Sequence, residues 1–109
     1  MAQQQYESCI QACDACAAAC AHCAMACLTE QNVAEMAACI KSDMDCADIC
    51  QFASAVMARG SSRAKEVCLL CAPICDAYAY ECEKHQHEHC KQRAKACRRC
   101  SEECRTMGQ

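Results

Sequence analysis

Thiols recur through this chain at the spacing of one helix face. Residues 9–27 read CIQACDACAAACAHCAMAC, where six cysteines are separated by steps of four, three, four, three and four. Three further clusters, at 39–50, 68–82 and 90–104, contain only steps of three, four or seven. At about 100° per residue, the cysteines of each cluster stay within an arc of roughly 40–80°. The spacing therefore predicts four helices, each with one thiol-lined face.

Cysteines placed in this way are suited to binding soft metal ions. Residues three or four apart on a helix have Cβ atoms roughly 5–6 Å apart, so two sulfur atoms can turn towards one ion. Thiolates bind Cu(I), zinc and iron–sulfur clusters. Zinc prefers four tetrahedral ligands, and an iron–sulfur cluster needs a compact set of four cysteines. Cu(I) accepts two thiolates, and a thiolate can bridge two ions, so a continuous stripe suits Cu(I) best, at about one ion per cysteine.

Simple packing is the alternative explanation for a buried cysteine, because a free thiol behaves as a small hydrophobic group. Seventeen cysteines in phase are poorly explained this way, since Leu or Val would fill a core better and resist oxidation. We therefore predict that all of them are metal ligands: Cys9, Cys13, Cys16, Cys20, Cys23, Cys27, Cys39, Cys46, Cys50, Cys68, Cys71, Cys75, Cys82, Cys90, Cys97, Cys100 and Cys104.

The composition narrows the function. The chain has 109 residues and a net charge of −3, which gives no reason to expect nucleic acid as a partner. The N-terminal MAQQQYESC lacks the basic and apolar regions of a signal peptide, and no run approaches the ~18 uncharged apolar residues of a membrane span. We therefore expect a cytoplasmic protein with reduced thiols and no membrane partner. An odd number of cysteines also fits a disulfide framework poorly.

The polar breaks between the thiol clusters predict an all-α fold. LTEQNVAE (28–35), ARGSS (58–62) and KHQHEH (84–89) separate helices expected near 5–28, 33–58, 62–84 and 88–107. Gly60 is a suitable residue to end the second helix, and Pro73 should bend the third. Short connections make neighbouring helices antiparallel, so we predict one domain over 1–109, an up-down-up-down four-helix bundle with a cysteine-lined core.

The chain resembles the bacterial copper storage proteins (Csp) over essentially its whole length. The resemblance rests on the C-x3-C-x2-C-x3-C-x2-C-x3-C run of the first helix, on IKSDMDCADIC (40–50) and VCLLCAPIC (67–75), and on KHQHEHC (84–90) followed by CRRCSEEC (97–104). It implies a four-helix bundle that stores many Cu(I) ions, a homotetramer, a role in copper detoxification, and no enzymatic reaction. The missing signal peptide makes the chain similar to the cytosolic branch of that family.

One end of the predicted bundle differs from the other. The first and third connections lie at the same end, and they gather His85, His87 and His89 beside the last cysteines of the stripes. Imidazole is soft enough to hold Cu(I), so these three histidines are candidate ligands where copper is admitted, with a solvated surface loop as the alternative. Met36 lies near this end, Met57 is in phase with the thiols, and Asp43 occupies a position where the second helix would otherwise carry a cysteine. His22 should point away from the stripe.

The first helix suggests an interface, and the ligand types leave other functions open. No charged residue lies between Asp14 and Glu30, and a helix without a charged face is usually buried on both sides. We therefore expect protomers to meet along its outer positions, which are Ala15, Ala18, His22 and Met25. A zinc or general soft-metal buffer is the main alternative function, and an iron–sulfur or redox protein is a weaker one.

Overall fold

The computed structural model describes residues 5–109, which contain four α-helices and no strand. The helices are α1 (Glu7–Cys27), α2 (Ala37–Ala58), α3 (Ala64–Glu83) and α4 (Glu88–Gly108), and a short 3-10 helix (Val33–Met36) precedes α2 directly. The prediction of four helices is confirmed, with most ends within two residues of those expected. The second helix differs because its first turn, predicted as α-helix from residue 33, is the 3-10 helix.

The connection from α2 to α3 shows why the chain turns where it does. Gly60 has φ 64°, in the left-handed region that glycine adopts without steric cost. Its N–H donates to the carbonyl of Met57 at 3.1 Å, and the N–H of Ser61 donates to that of Val56 at 2.9 Å. These two bonds satisfy the last carbonyls of α2 in a Schellman motif, as expected for Gly60. Helix α3 runs through Pro73 without a break.

The helices form an antiparallel bundle in which α1 packs on α2, α2 on α3, α3 on α4 and α4 on α1. The distribution of side chains is the reverse of an ordinary helical bundle. The core is built mainly from cysteine and alanine, whereas Phe52, Leu69, Leu70 and Tyr80 are all about half exposed or more. Because few large apolar side chains face inward, the cysteine sulfur atoms fill most of the interior between the helices.

Helix α1 resembles a membrane-spanning helix in length and apolar composition more than we expected from the sequence. On length and composition alone it is the one helix among the described residues that could cross a bilayer. Such a test is also passed by core helices of bundles, and the cysteine face of α1 is buried against its neighbours. The absence of a membrane partner therefore stays a prediction.

Candidate metal centre

All seventeen cysteines lie inside the bundle as free thiols. Cys9 is 1% exposed and the other sixteen are 0% exposed. Each helix contributes its stripe because side chains three or four residues apart share a face, and the four stripes meet at the bundle axis. The prediction of a cysteine-lined core is thus confirmed: the thiol faces of the four helices form a sulfur-rich interior.

Sulfur atoms from different helices lie close enough to share metal ions. The Sγ atom of Cys46 is 3.8 Å from those of Cys16, Cys75 and Cys97, which belong to the three other helices. The Sγ atom of Cys50 is 3.6 Å from that of Cys75 and 3.7 Å from that of Cys100. One thiol therefore contacts several others, which is the arrangement that bridging thiolates require.

The groups of four thiols that could hold an ion overlap one another. Their sulfur atoms lie within 4.8 Å of one another in each group, and Cys16, Cys46, Cys50, Cys71, Cys75 and Cys100 each belong to more than one group. If each zinc ion takes four thiolates of its own, as in a mononuclear structural site, neighbouring groups could not all be filled by separate zinc ions. Bridging thiolates between two-coordinate Cu(I) ions use shared ligands without that conflict.

The thiol contacts divide into two sets. The first, called here the His-end compartment, lies beside the connections that carry the histidines and contains Cys23, Cys27, Cys39, Cys82 and Cys90. The second, the main compartment, contains Cys9, Cys13, Cys16, Cys20, Cys46, Cys50, Cys68, Cys71, Cys75, Cys97, Cys100 and Cys104. Among the described residues, no hydrogen-bonding contact between thiols joins one compartment to the other.

A buried ion pair lies at the boundary between these compartments. Arg93 of α4 is 0% exposed, and its Nε atom is 2.9 Å from Oδ1 of Asp43 on α2. The guanidinium also donates to one sulfur of each compartment: Nε to Cys20 at 3.3 Å and Nη1 to Cys82 at 2.8 Å. The same Nη1 donates to the hydroxyl of Ser42 at 2.8 Å. The Asp43 carboxylate therefore belongs to an ion pair with Arg93.

Sequence reasoning missed Arg93, although the cysteine spacing contained the signal. The only three seven-residue steps within the clusters are 39 to 46, 75 to 82 and 90 to 97. Each step omits one cysteine, and the omitted positions meet at the same level of the bundle. There α2 carries Asp43, α3 carries the fully buried Ala79, and α4 carries Arg93. The Cζ atom of Arg93 lies 5.6 Å from the ring centre of Tyr78, the residue before Ala79.

Burial raises the pKa of two groups in this core. It raises the pKa of Asp43 to about 7, although the positive charge of Arg93 opposes that shift. Burial also raises the pKa of Cys27 to about 11, so this thiol is protonated at neutral pH without metal. Metal binding must therefore displace a proton from such a thiol.

The three predicted histidines point in different directions. His89 faces the thiols, with Nδ1 3.4 Å from Sγ of Cys23 and 3.6 Å from Sγ of Cys90. His87 stacks on His89 at 5.3 Å between ring centres, and its Nδ1 is 2.8 Å from Oε2 of Glu30. His85 lies away from this group, in a surface groove with residues such as Glu83 and Lys91. Among the described residues, His89 is the only one of the three histidines with a hydrogen-bonding contact to a cysteine sulfur.

The remaining candidates also have defined positions. The Met57 sulfur accepts the thiol hydrogen of Cys68 at 3.5 Å, at the end of the bundle away from the histidines. Met36 is 3% exposed beside His87 at the histidine end. His22 is exposed on the outer face of α1, as predicted. Glu30, which sequence reasoning did not select, also lies 3.6 Å from Nε2 of His89.

Comparison with known proteins agrees with this site. The family model described as "Copper storage protein" (Csp) matches residues 2–109. A cysteine-rich protein of Bacillus subtilis, YhjQ, described as uncharacterised, is 48% identical over 79 residues, which are 72% of this chain and 73% of that protein. Cu(I)-bound copper storage protein BsCsp3 has a TM-score of 0.91 and 47% identity, covering 95% of this chain and 98% of its own. A cytosolic copper storage protein from Streptomyces lividans, described with five coppers, has a TM-score of 0.92 and 40% identity, covering 97% and 93%.

The fold and the site together define a four-helix bundle that binds soft metal ions through buried thiols. The chain belongs to the copper storage protein family, whose model covers all but its first residue. The resemblance identified from the cysteine motifs is thereby confirmed, and the solved relative BsCsp3 is Cu(I)-bound.

Proposed function

We propose that this protein stores Cu(I) in the cytoplasm and so protects the cell from the free ion. The observation that carries this proposal is the sulfur network: seventeen buried thiols, each close to others from neighbouring helices. If each thiolate bridges two ions and each ion takes two thiolates, capacity approaches about one Cu(I) per cysteine. Each Cu(I) neutralises one thiolate, so a filled core carries little net charge, which a low-dielectric interior requires.

The ligand set that we propose is the full set of cysteines, with His89 as a further ligand where copper is admitted. His89 supports this role because its Nδ1 lies near two sulfur atoms while its ring is 14% exposed. His87 and Glu30 lie beside His89 at the same end of the bundle, and His87 Nδ1 is 2.8 Å from Oε2 of Glu30. His85 is proposed only as a weak outer ligand, since it lies in a separate groove. We propose no enzymatic reaction, because copper is the stored ion and the buried thiols are all assigned to binding it.

We also propose that the protein is a homotetramer in which α1 contributes to the contacts between protomers. The outer face of α1 supports this, because Met25 is 61% exposed and the neighbouring Ala15 and Ala18 are small and exposed. Small residues allow helices to approach closely. No nucleic-acid or membrane partner is proposed for this domain of residues 1–109. Sedimentation of the apo protein and of a Met25→Glu variant tests the interface: the variant should dissociate while keeping its helix content.

Anaerobic titration of the reduced protein with Cu(I), against a chelator of known affinity, tests the storage function. We expect uptake of about one Cu(I) per thiol and displacement of zinc in a parallel titration. Zinc loading at about a quarter as many ions as thiols would instead indicate the soft-metal buffer. Visible absorbance from iron–sulfur clusters in the purified protein would indicate the redox alternative.

The role of His89 requires a matched control. A His89→Ala variant should take up Cu(I) more slowly while its final capacity changes by one ion at most, because the seventeen thiols remain. Gln86→Ala is the control, since that side chain is exposed in the same connection between α3 and α4. Equal uptake rates in both variants would exclude His89 from the route of copper.

A further inference from the structure

We propose that four thiols of the His-end compartment, Cys23, Cys27, Cys39 and Cys90, form a discrete structural site for one Zn(II) ion in the copper-free protein. The inference goes beyond the storage of Cu(I), because it concerns the protein before copper arrives and gives a second metal a different role. Cys27 is the last residue of α1, and Cys39 and Cys90 are each the third residue of their helices, α2 and α4. All four thiols are 0% exposed.

The distances between the four sulfur atoms are those of a tetrahedral zinc site. With Zn–S bonds of about 2.3 Å, two sulfur ligands of one tetrahedron lie about 3.8 Å apart. The Sγ atom of Cys23 is 3.9 Å from that of Cys27, 3.8 Å from that of Cys39 and 3.9 Å from that of Cys90. The Sγ atoms of Cys39 and Cys90 are 4.0 Å apart, and all four lie within 4.8 Å of one another. Small side-chain rotations are therefore enough to close the group on one zinc ion.

This group is separate from the overlapping groups of the main compartment. Its four thiols belong to none of the groups around Cys16, Cys46 and Cys50, so a zinc ion here takes no ligand from a neighbouring ion. The fifth thiol of the His-end compartment, Cys82, has a different partner, because Nη1 of Arg93 donates to its sulfur at 2.8 Å. The site thus has four available thiols, which is the number of ligands that a structural zinc ion takes.

The surroundings of the group offset the charge of a zinc tetrathiolate. Zinc binding breaks four S–H bonds, forms four Zn–S bonds and releases four protons to solvent, so the complex carries two net negative charges. Positive charge lies close by, because the Cys82 sulfur that Arg93 contacts is 3.7 Å from that of Cys39. Cys90 is in the first turn of α4, where the helix dipole favours negative charge. Nδ1 of His89 lies 3.6 Å from the Cys90 sulfur, so an N–H there can donate to the bound thiolate.

A zinc ion at this position would join the end of α1 to the beginnings of α2 and α4. It would thereby fasten both connections at this end of the bundle, residues 28–36 and 84–87. A site that exists only in the folded chain adds its binding free energy to folding. Equimolar zinc should therefore raise the unfolding temperature of the copper-free protein and slow amide hydrogen exchange in both connections. Because soft thiolates select Cu(I), loading with copper should release the zinc.

The experiment titrates the reduced, metal-free protein with Zn(II) without oxygen, against a chromophoric chelator, and uses Co(II) as a spectroscopic probe of the ligands. We expect one zinc ion with a Kd of about nanomolar or tighter, and Co(II) absorption typical of a tetrahedral site with four thiolates. Cys27→Ser should weaken zinc binding at least about a hundredfold, because one of four ligands is lost. Cys97→Ser removes a thiol of the main compartment instead and should leave the zinc affinity unchanged, although each variant should lose about one Cu(I) of copper capacity.

Zinc binding weaker than about micromolar, several zinc ions of similar affinity, or equal losses in Cys27→Ser and Cys97→Ser would overturn this site. Cobalt absorption that shows an imidazole ligand, and loses it in His89→Ala, would overturn the four-thiolate assignment. The zinc titration and the cobalt spectrum of the natural protein decide the question even if a variant does not fold, which far-UV circular dichroism reports. Failure of the storage function is distinguishable, because the zinc-free natural protein would then saturate with a few Cu(I) ions whatever its affinity for zinc.

Discussion

The buried ion pair makes a sharp prediction about the stability of the apo protein. Asp43→Leu alone leaves a guanidinium that is 0% exposed, whereas Arg93→Met alone removes the charge that opposes the raised pKa of Asp43 and leaves a protonated carboxyl that is 1% exposed. Removing one partner of a buried pair costs about 3–5 kcal/mol, a large part of the roughly 5–15 kcal/mol that holds a domain of this size together. At about 4 °C or more per kcal/mol, Asp43→Leu should unfold at least about 12 °C below the natural protein. Arg93→Met should unfold at least about 4 °C below it, because a buried neutral carboxyl without a partner costs about 1–3 kcal/mol.

The double variant should behave differently from the sum of its parts. With both charges gone, similar-sized apolar side chains occupy the site, and the free energy of unfolding should equal that of the natural protein or exceed it by about 1–4 kcal/mol. The natural protein, the two single variants and the double variant form a double-mutant cycle. Thermal and denaturant unfolding of these four proteins in the reduced apo form, followed by far-UV circular dichroism without oxygen, measures their stabilities. Glu66→Gln is the surface control, because its pair with Arg63 is 65% and 73% exposed and should contribute little. Losses that simply add in the double variant, or a cost below about 1 kcal/mol for Arg93→Met, would refute this reasoning.

Two further variants test the outside of the bundle. Partial burial alone would raise the pKa of Asp76, but bonds from Arg105 and Ser101 and the nearby Arg98 hold it below its usual value. The stabilisation is therefore present above the unfolded pKa and lost as pH falls through the folded pKa: Asp76→Asn should cost about 1 kcal/mol at pH 7, and the difference in unfolding free energy should vanish in strong acid. Gly60→Ala should destabilise the protein by about 1 kcal/mol or more in denaturant melts, because φ is 64° there, and an unchanged midpoint would contradict the Schellman assignment.

The sequence was sufficient to predict the bundle because its strongest signal repeats on every helix. Seventeen cysteines in steps of three, four and seven specify four faces, and Gly60 marks one turn by its conformational freedom. The start of α2 was less predictable. A 3-10 turn and an α-turn share the same residue types, so Val33–Met36 could not be told from the helix that follows.

The site was predictable to the level of ligand type but not of connectivity. Periodicity places each thiol on an inner face, yet the pairs that touch across the core depend on how the four helices are aligned. The histidine end shows the same limit. From the sequence, the three histidines of one loop are equally good candidate ligands, and only the turn into α4 directs His89 towards Cys23 and Cys90. Arg93 was missed because an arginine among Lys91, Lys95 and Arg98 has the composition of a solvated face.

The omitted cysteines also bear on how such a repetitive chain selects one alignment. Stripes of similar small side chains would face one another almost equally well if α4 slipped by one heptad along α2. The pair between Asp43 and Arg93 connects these two helices across the core, and a slip would place the guanidinium among thiols and leave the carboxylate without its counter-charge. That cost, several kcal/mol for each buried ion, falls on the slipped arrangement alone. The interruption that divides the thiols is thus the feature that distinguishes one register of the bundle from its neighbours.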